Sequence, residues 1–132
     1  MKALAPLFMM IGVLIMGARA EETRGSPQVA RNVLEKHDQS GVADKEIVTG
    51  TATFPAGTSV GFHTHPGDES GYVIKGSIVL KTQGQPDRTV TAGESFFNIR
   101  GAVHSVVAGP EGASVVSTWI VDKGVPLATT VP

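Results

Sequence analysis

Cysteine is absent from all 132 residues. That excludes disulfide bonds, a thiolate nucleophile, a cysteine-ligated zinc and a lipid-modified N-terminal cysteine. Charge is also scarce. Asp, Glu, Lys and Arg make up 17 % of the chain, and the formal net charge is −1. With no run of like charges, there is no electrostatic footing for nucleic acid or for an anionic membrane surface. No stretch of helical periodicity is long enough to cross between parallel strands, so any sheet should be antiparallel. No Ser-His-Asp arrangement, phosphate-binding glycine loop or pair of free carboxylates can be made out.

Long apolar runs are missing too, with one exception. Lys2 precedes an almost wholly apolar stretch from Ala3 to Gly17, and Ala18-Arg19-Ala20 then places small residues before Glu21. This three-part pattern is that of a secretory signal peptide. The apolar run falls short of the roughly 20 residues that a bilayer core requires, so cleavage is favoured over anchoring. The expectation is an exported chain, periplasmic or secreted, with no stable membrane anchoring. Its parts are a signal peptide (1–20), an N-terminal arm (21–45), one barrel domain (46–123) and an extended tail (124–132). A hydrophobic content of 41 % is enough to form one modest core.

What is abundant is punctuation: sixteen glycines and eight prolines. From Glu46 onward they separate short runs rich in β-branched residues: "EIVTGTATF", "TSVGFHTH", "ESGYVIK", "SIVLKTQ", "RTVT", "SFFNI", "VHSVVA" and "ASVVSTWIVD". Strands broken by turn signals every eight to twelve residues mark an all-β sandwich or barrel. The earlier segment "VARNVLEKHDQSG" reads equally as a strand or a helical turn, with His37 an exposed loop residue.

Chemistry concentrates in residues 57 to 104. Side chains alternate along a strand, so His63 and His65 should share one face of "TSVGFHTH". After a tight turn at Pro66-Gly67, Glu69 can return to the same side. His-x-His on a strand presents two neutral nitrogen donors close together, and a carboxylate completes a borderline site for a metal ion.

The full spacing resembles the first motif of the cupins: Gly57, then His63-Thr64-His65, then Glu69, then Gly76. A second cupin-like motif begins at Gly93 and runs through Gly101 to His104. Two positions depart from the family pattern: Ile99 stands where proline is usual, and Ala108 where asparagine is usual. Neither is a ligand position. The resemblance covers roughly residues 46 to 121. It implies an antiparallel, double-sheet, jelly-roll-like β-barrel with His63, His65, Glu69 and His104 as metal ligands. It also implies a homodimer, for which "VARNVLEK" is the candidate arm.

The implied cofactor is one divalent transition metal ion: zinc, copper, iron, manganese or nickel. Three imidazoles argue against calcium and magnesium. Loading outside the cytoplasm tilts the choice towards zinc or copper. Glu69 is the ligand able to double as a catalytic base. The implied activity is dioxygenase-like, decarboxylating or isomerising, on a small enol, catechol-like or oxo-acid substrate. The rival reading is a metal-dependent module that binds or senses a small ligand without turnover. A third, a storage or purely structural barrel, predicts no metal. Among the other polar and aromatic residues, Tyr72 is expected in barrel packing, Lys75 in solvent and Asp68 in the turn it caps. Trp119 and Phe96 or Phe97 are divided between core and cavity lining.

Overall fold

A computed structural model describes residues 26–132; the signal peptide expected at residues 1–20 lies outside them. The described residues contain eight strands and no helix, and therefore no helix long and apolar enough to cross a membrane. The strands are β1 (Ala30–Asp38), β2 (Lys45–Phe54), β3 (Ser59–Thr64), β4 (Gly67–Thr82), β5 (Arg88–Thr91), β6 (Ser95–Asn98), β7 (His104–Asp122) and β8 (Thr129–Thr130). Every pairing is antiparallel.

Two long strands organise the rest. The first half of β4 and the second half of β7 pair with each other and carry β6 and β2 on their outer sides. The second half of β4 and the first half of β7 pair again, now flanked by β5 and β3. One hydrogen-bonded sheet thereby folds into two layers, β1-β2-β7-β4-β6 and β8-β3-β7-β4-β5. This is the expected all-β double-sheet architecture.

The turns expected at Gly76 and at Gly109–Gly112 are instead bends within continuous strands. In β4 the buried side chains are odd-numbered through Val73 and even-numbered from Ile78, with register shifts on either side of Gly76. In β7 the parity switches the other way, from Val106 and Ala108 to Ala113 and Val115. Gly76 and Gly112 both take positive φ, +72° and +77°. A Cβ on Gly76 would sit 2.0 Å from the Gly112 carbonyl oxygen. Glycine is thus required where the two strands fold over each other, and the bulges let both halves face one interior.

That interior is apolar. Val73, Ile78 and Val90 are completely buried and cluster with Phe54, Leu80, Phe96, Val106, Ala108, Ala113 and Val115 from both layers. Each such aliphatic side chain contributes about 1.5–3 kcal/mol relative to leaving it in water.

One open reading is decided, and several further expectations are corrected. The segment containing "VARNVLEK" is an edge strand, β1, exposed on both faces, which is why it shows no apolar alternation. His37 is exposed, but on that strand and not in a loop. Tyr72 points outward, 45 % exposed, and takes no part in barrel packing. Asp68 lies within β4, not in the turn before it. The extended tail contributes β8, which pairs with β3 at His63 and Thr64.

Candidate functional site

β3 ends at Thr64, so His63 is its penultimate residue and His65 begins the short connection to β4. A register shift lies between Val60 and His63. His104 opens β7 directly opposite His63, and Glu69 lies on the first half of β4, between Asn98 of β6 and Trp119 of β7. The structure brings the three histidines together: one ring nitrogen from each lies within 4.8 Å of the others. The ring centroids of His63 and His104 are 4.3 Å apart, and those of His63 and His65 are 4.9 Å apart. Glu69 stands beside two of the three, its Oε2 at 3.3 Å from His65 Nε2 and 3.4 Å from His104 Nε2. His65, Glu69 and His104 are buried, while His63 is half-buried towards the cavity.

The backbone sets the state of each ring. Nδ1 of His63 lies 2.8 Å from the Gly61 carbonyl, Nδ1 of His65 2.7 Å from that of Leu127, and Nδ1 of His104 2.8 Å from that of Ala102. A carbonyl only accepts, so each Nδ1 must carry its hydrogen and donate it. A neutral ring then has its lone pair on Nε2. His65 Nε2 is buried without a hydrogen-bond partner. An imidazole lone pair facing a carboxylate oxygen at such distances is unfavourable unless a cation stands between them, whether a proton or a metal ion.

The titration behaviour has the same cause. Burial pushes the Glu69 carboxyl up, but the adjacent His104 and His65 rings and the Asn98 amide outweigh it and hold the group well below the usual carboxylate range. Burial depresses His65, yet the Glu69 carboxylate and the Leu127 carbonyl prevail and raise it above an ordinary histidine. His63 moves the other way, lowered chiefly by burial and further by the two neighbouring rings. The cluster therefore attracts one positive charge and resists a second. That donor set fits a single divalent ion of the borderline class.

Sequence reasoning did not find the residues that hold these groups in place. Asn98, 3 % exposed, donates from Nδ2 to Glu69 Oε2 at 2.9 Å. Leu127, in the tail, supplies the carbonyl for His65. Arg100 ties the turn before His104 to the turn between His65 and Glu69. Its backbone N–H donates to Asp68 Oδ1 at 2.8 Å and its Nη1 to the Pro66 carbonyl at 2.7 Å, while its Nη2 pairs with Asp122. The Gly101 N–H donates to the His65 carbonyl at 3.1 Å. Asp122 also pairs with Lys45, and these two partners hold its carboxyl well below the ordinary value. Pro66, Asp68 and Arg100 stand at fixed offsets from the motif residues, and that offset is the only trace of this clamp in the sequence.

Trp119 lines the cavity beside His65, with ring centroids 5.7 Å apart. Phe96 is buried in the core and also lines the cavity, whereas Phe97 faces solvent. Lys75 is exposed, as expected.

Comparison with known proteins agrees with this architecture. The cupin domain family model matches residues 50–121. The sequence has no significant match among curated proteins. Among solved structures, KdgF from Halomonas sp. aligns with a TM-score of 0.60 at 20 % identity, covering 73 % of this chain and 81 % of that one. DMSP lyase DddQ from Ruegeria pomeroyi DSS-3 aligns at 0.66 and 20 % identity, over 91 % of this chain and 59 % of that one. An oxalate oxidase in complex with the substrate analogue glycolate aligns at 0.63 and 24 % identity, over 86 % and 60 %. At these identities the likeness is one of fold.

Proposed function

The chain belongs to the cupin family, and on that premise we propose that it is an exported, metal-dependent enzyme acting on a small substrate that chelates the metal. His63, His65, His104 and Glu69 would hold one divalent transition metal ion. The observation that carries this reading is the set of three imidazoles whose Nδ1 atoms are committed to backbone carbonyls. Their remaining lone pairs are directed to a common place beside a carboxylate. When bound, the ion would supply Lewis-acid or oxygen-activating chemistry.

The protein's own residues do the rest. The carbonyls of Gly61, Ala102 and Leu127 orient the rings before any ligand arrives, so little ordering is needed on binding. Asn98 holds one oxygen of Glu69 in place. The carboxylate remains ionised throughout the neutral range and is the group able to accept a proton from a substrate hydroxyl or C–H bond. Trp119 and the apolar walls keep bulk water from that proton.

A non-catalytic reading, in which the same site binds or senses a ligand, is favoured by one feature. Among the described residues lining the cavity there is no carboxylate besides Glu69, and no lysine or tyrosine to complete a proton relay. As a homodimer, the chain would use β1, an edge strand with Val33 60 % and Leu34 53 % exposed.

The test is metal titration of the wild type and His63→Ala, followed by a substrate screen under oxygen. The wild type should bind one ion per chain and the variant almost none, with the barrel folded in both. Unchanged stoichiometry in the variant would refute the ligand assignment. Ligand binding with no turnover would favour the sensing module.

A further inference from the structure

The histidine cluster opens into a cavity of about 590 Å³. The same inward-facing rows that supply the polar groups turn apolar within one or two alternations. On β4 the row runs Glu69, Gly71, Val73; on β6 it runs Asn98, Phe96; on the first half of β7 it runs His104, Val106. On the second half of β7, Trp119 lies opposite Glu69, and Val115 opposite Ala52 and Val73. Four residues of strand separate those two levels by roughly 13 Å. Beyond the cluster, the walls are mainly apolar, with Phe54, Val60, Ile78, Phe96, Val106 and Val115, and their polar groups are the uncharged side chains of Asn32, Thr51, Ser59, Ser117 and Thr130. Away from the histidines, the one cationic side chain among the described lining residues is Arg31, exposed on β1.

From this gradient we infer that the site takes a ligand with a chelating polar head and an extended apolar body, of the alkyl- or aryl-substituted catechol or enol class, and not a compact oxo-acid. The inference rests on the metal reading above and narrows its substrate class. A compact dianion such as oxalate would occupy a small part of the cavity. A carboxylate carried down to the level of Val73, Ile78 and Val115 would meet no cationic partner there, and an uncompensated charge is strongly disfavoured. An apolar body would instead displace water from those walls, and each buried methylene strengthens binding roughly fourfold.

The experiment uses protein loaded with zinc, which is redox-inert. Binding is measured calorimetrically for catechol, 4-methylcatechol, 4-propylcatechol and oxalate. Affinity should rise at least about tenfold from catechol to 4-propylcatechol, with oxalate the weakest of the four. Ala52→Phe, which adds bulk beside Val115 on the same wall, should retain zinc and catechol binding while abolishing the gain along the series. Val60→Phe tests the facing wall in the same way should the first variant fail to fold. A flat series, tighter binding of oxalate, or an undiminished gain in a folded, zinc-loaded variant overturns the inference while leaving the metal reading intact. Failure of the wild type to take up zinc, copper, iron, manganese or nickel overturns both.

Discussion

Two layers of side chains point into one barrel from the same strands, and they are stable on opposite terms. The apolar layer of Val73, Ile78, Val90 and Phe96 is satisfied by contact alone. The polar layer one alternation away, with His65, Glu69, Asn98 and His104, is equally buried but is satisfied only through hydrogen bonds. Even then His65 Nε2 has no partner. A barrel that needed only to fold would fill both layers with aliphatic residues. The lower layer is there for the fold, and on the proposed reading the upper layer is there for a bound cation that the fold alone does not require.

Substitutions should separate the two. The largest effect on stability is expected in the lower layer: Ile78→Ala should cost about 3 kcal/mol, as truncation of a fully buried isoleucine leaves a cavity. Denaturant titration of the metal-free protein would measure it, and metal stoichiometry in the folded fraction should be unchanged. His104→Ala should do the converse. Its metal affinity should fall by at least about a hundredfold, more than the loss of an outer hydrogen bond causes, while the metal-free fold persists. An equal loss of stability would mean that the histidine belongs to the core and not to the site.

A smaller effect is expected at Asn98, which serves Glu69 without belonging to the cluster. Asn98→Ala should weaken metal binding about tenfold and leave Glu69 easier to protonate. Asn98→Asp, placing a second carboxylate against the first, should be worse than alanine at neutral pH.

The smallest effect is read from pH. Glu69 titrates below its unfolded value near 4.5, so its contribution is present above that pH and is lost as pH falls through the folded value. Acid unfolding of the metal-free barrel should therefore be less steep in Glu69→Gln. His65 is raised, so its proton competes with a metal ion at a higher pH than an ordinary histidine would. Metal affinity should decline on acidification already from near-neutral pH, and competition titrations at stepped pH would show it.

How much of this was legible from sequence follows from which interactions are local. "RTVT" coincides with β5, because a turn signal bounds it on both sides. Gly57, His63, His65, Glu69, Gly76 and His104 carry their spacing in the chain itself, and three of them meet in space as imidazoles. Gly76 misled as a turn because a left-handed glycine looks the same in sequence whether it ends a strand or bends one. Only the opposing Gly112 carbonyl decides it. β1 was ambiguous since neither face is buried. Leu127 and Asn98 were invisible for a different reason: one acts through its carbonyl, which every residue has, and the other through a contact 29 positions distant. The clamp of Arg100 on Pro66 and Asp68 likewise exists only after β4 and β6 have paired.

The most direct test of the central claim, that the polar layer exists to hold one metal ion, is elemental analysis of the protein purified without chelators. The account predicts close to one zinc, copper, iron, manganese or nickel ion per chain, lost in His63→Ala and His104→Ala. A wild-type protein that carries no metal, and takes up none when each of the five ions is supplied, would contradict it.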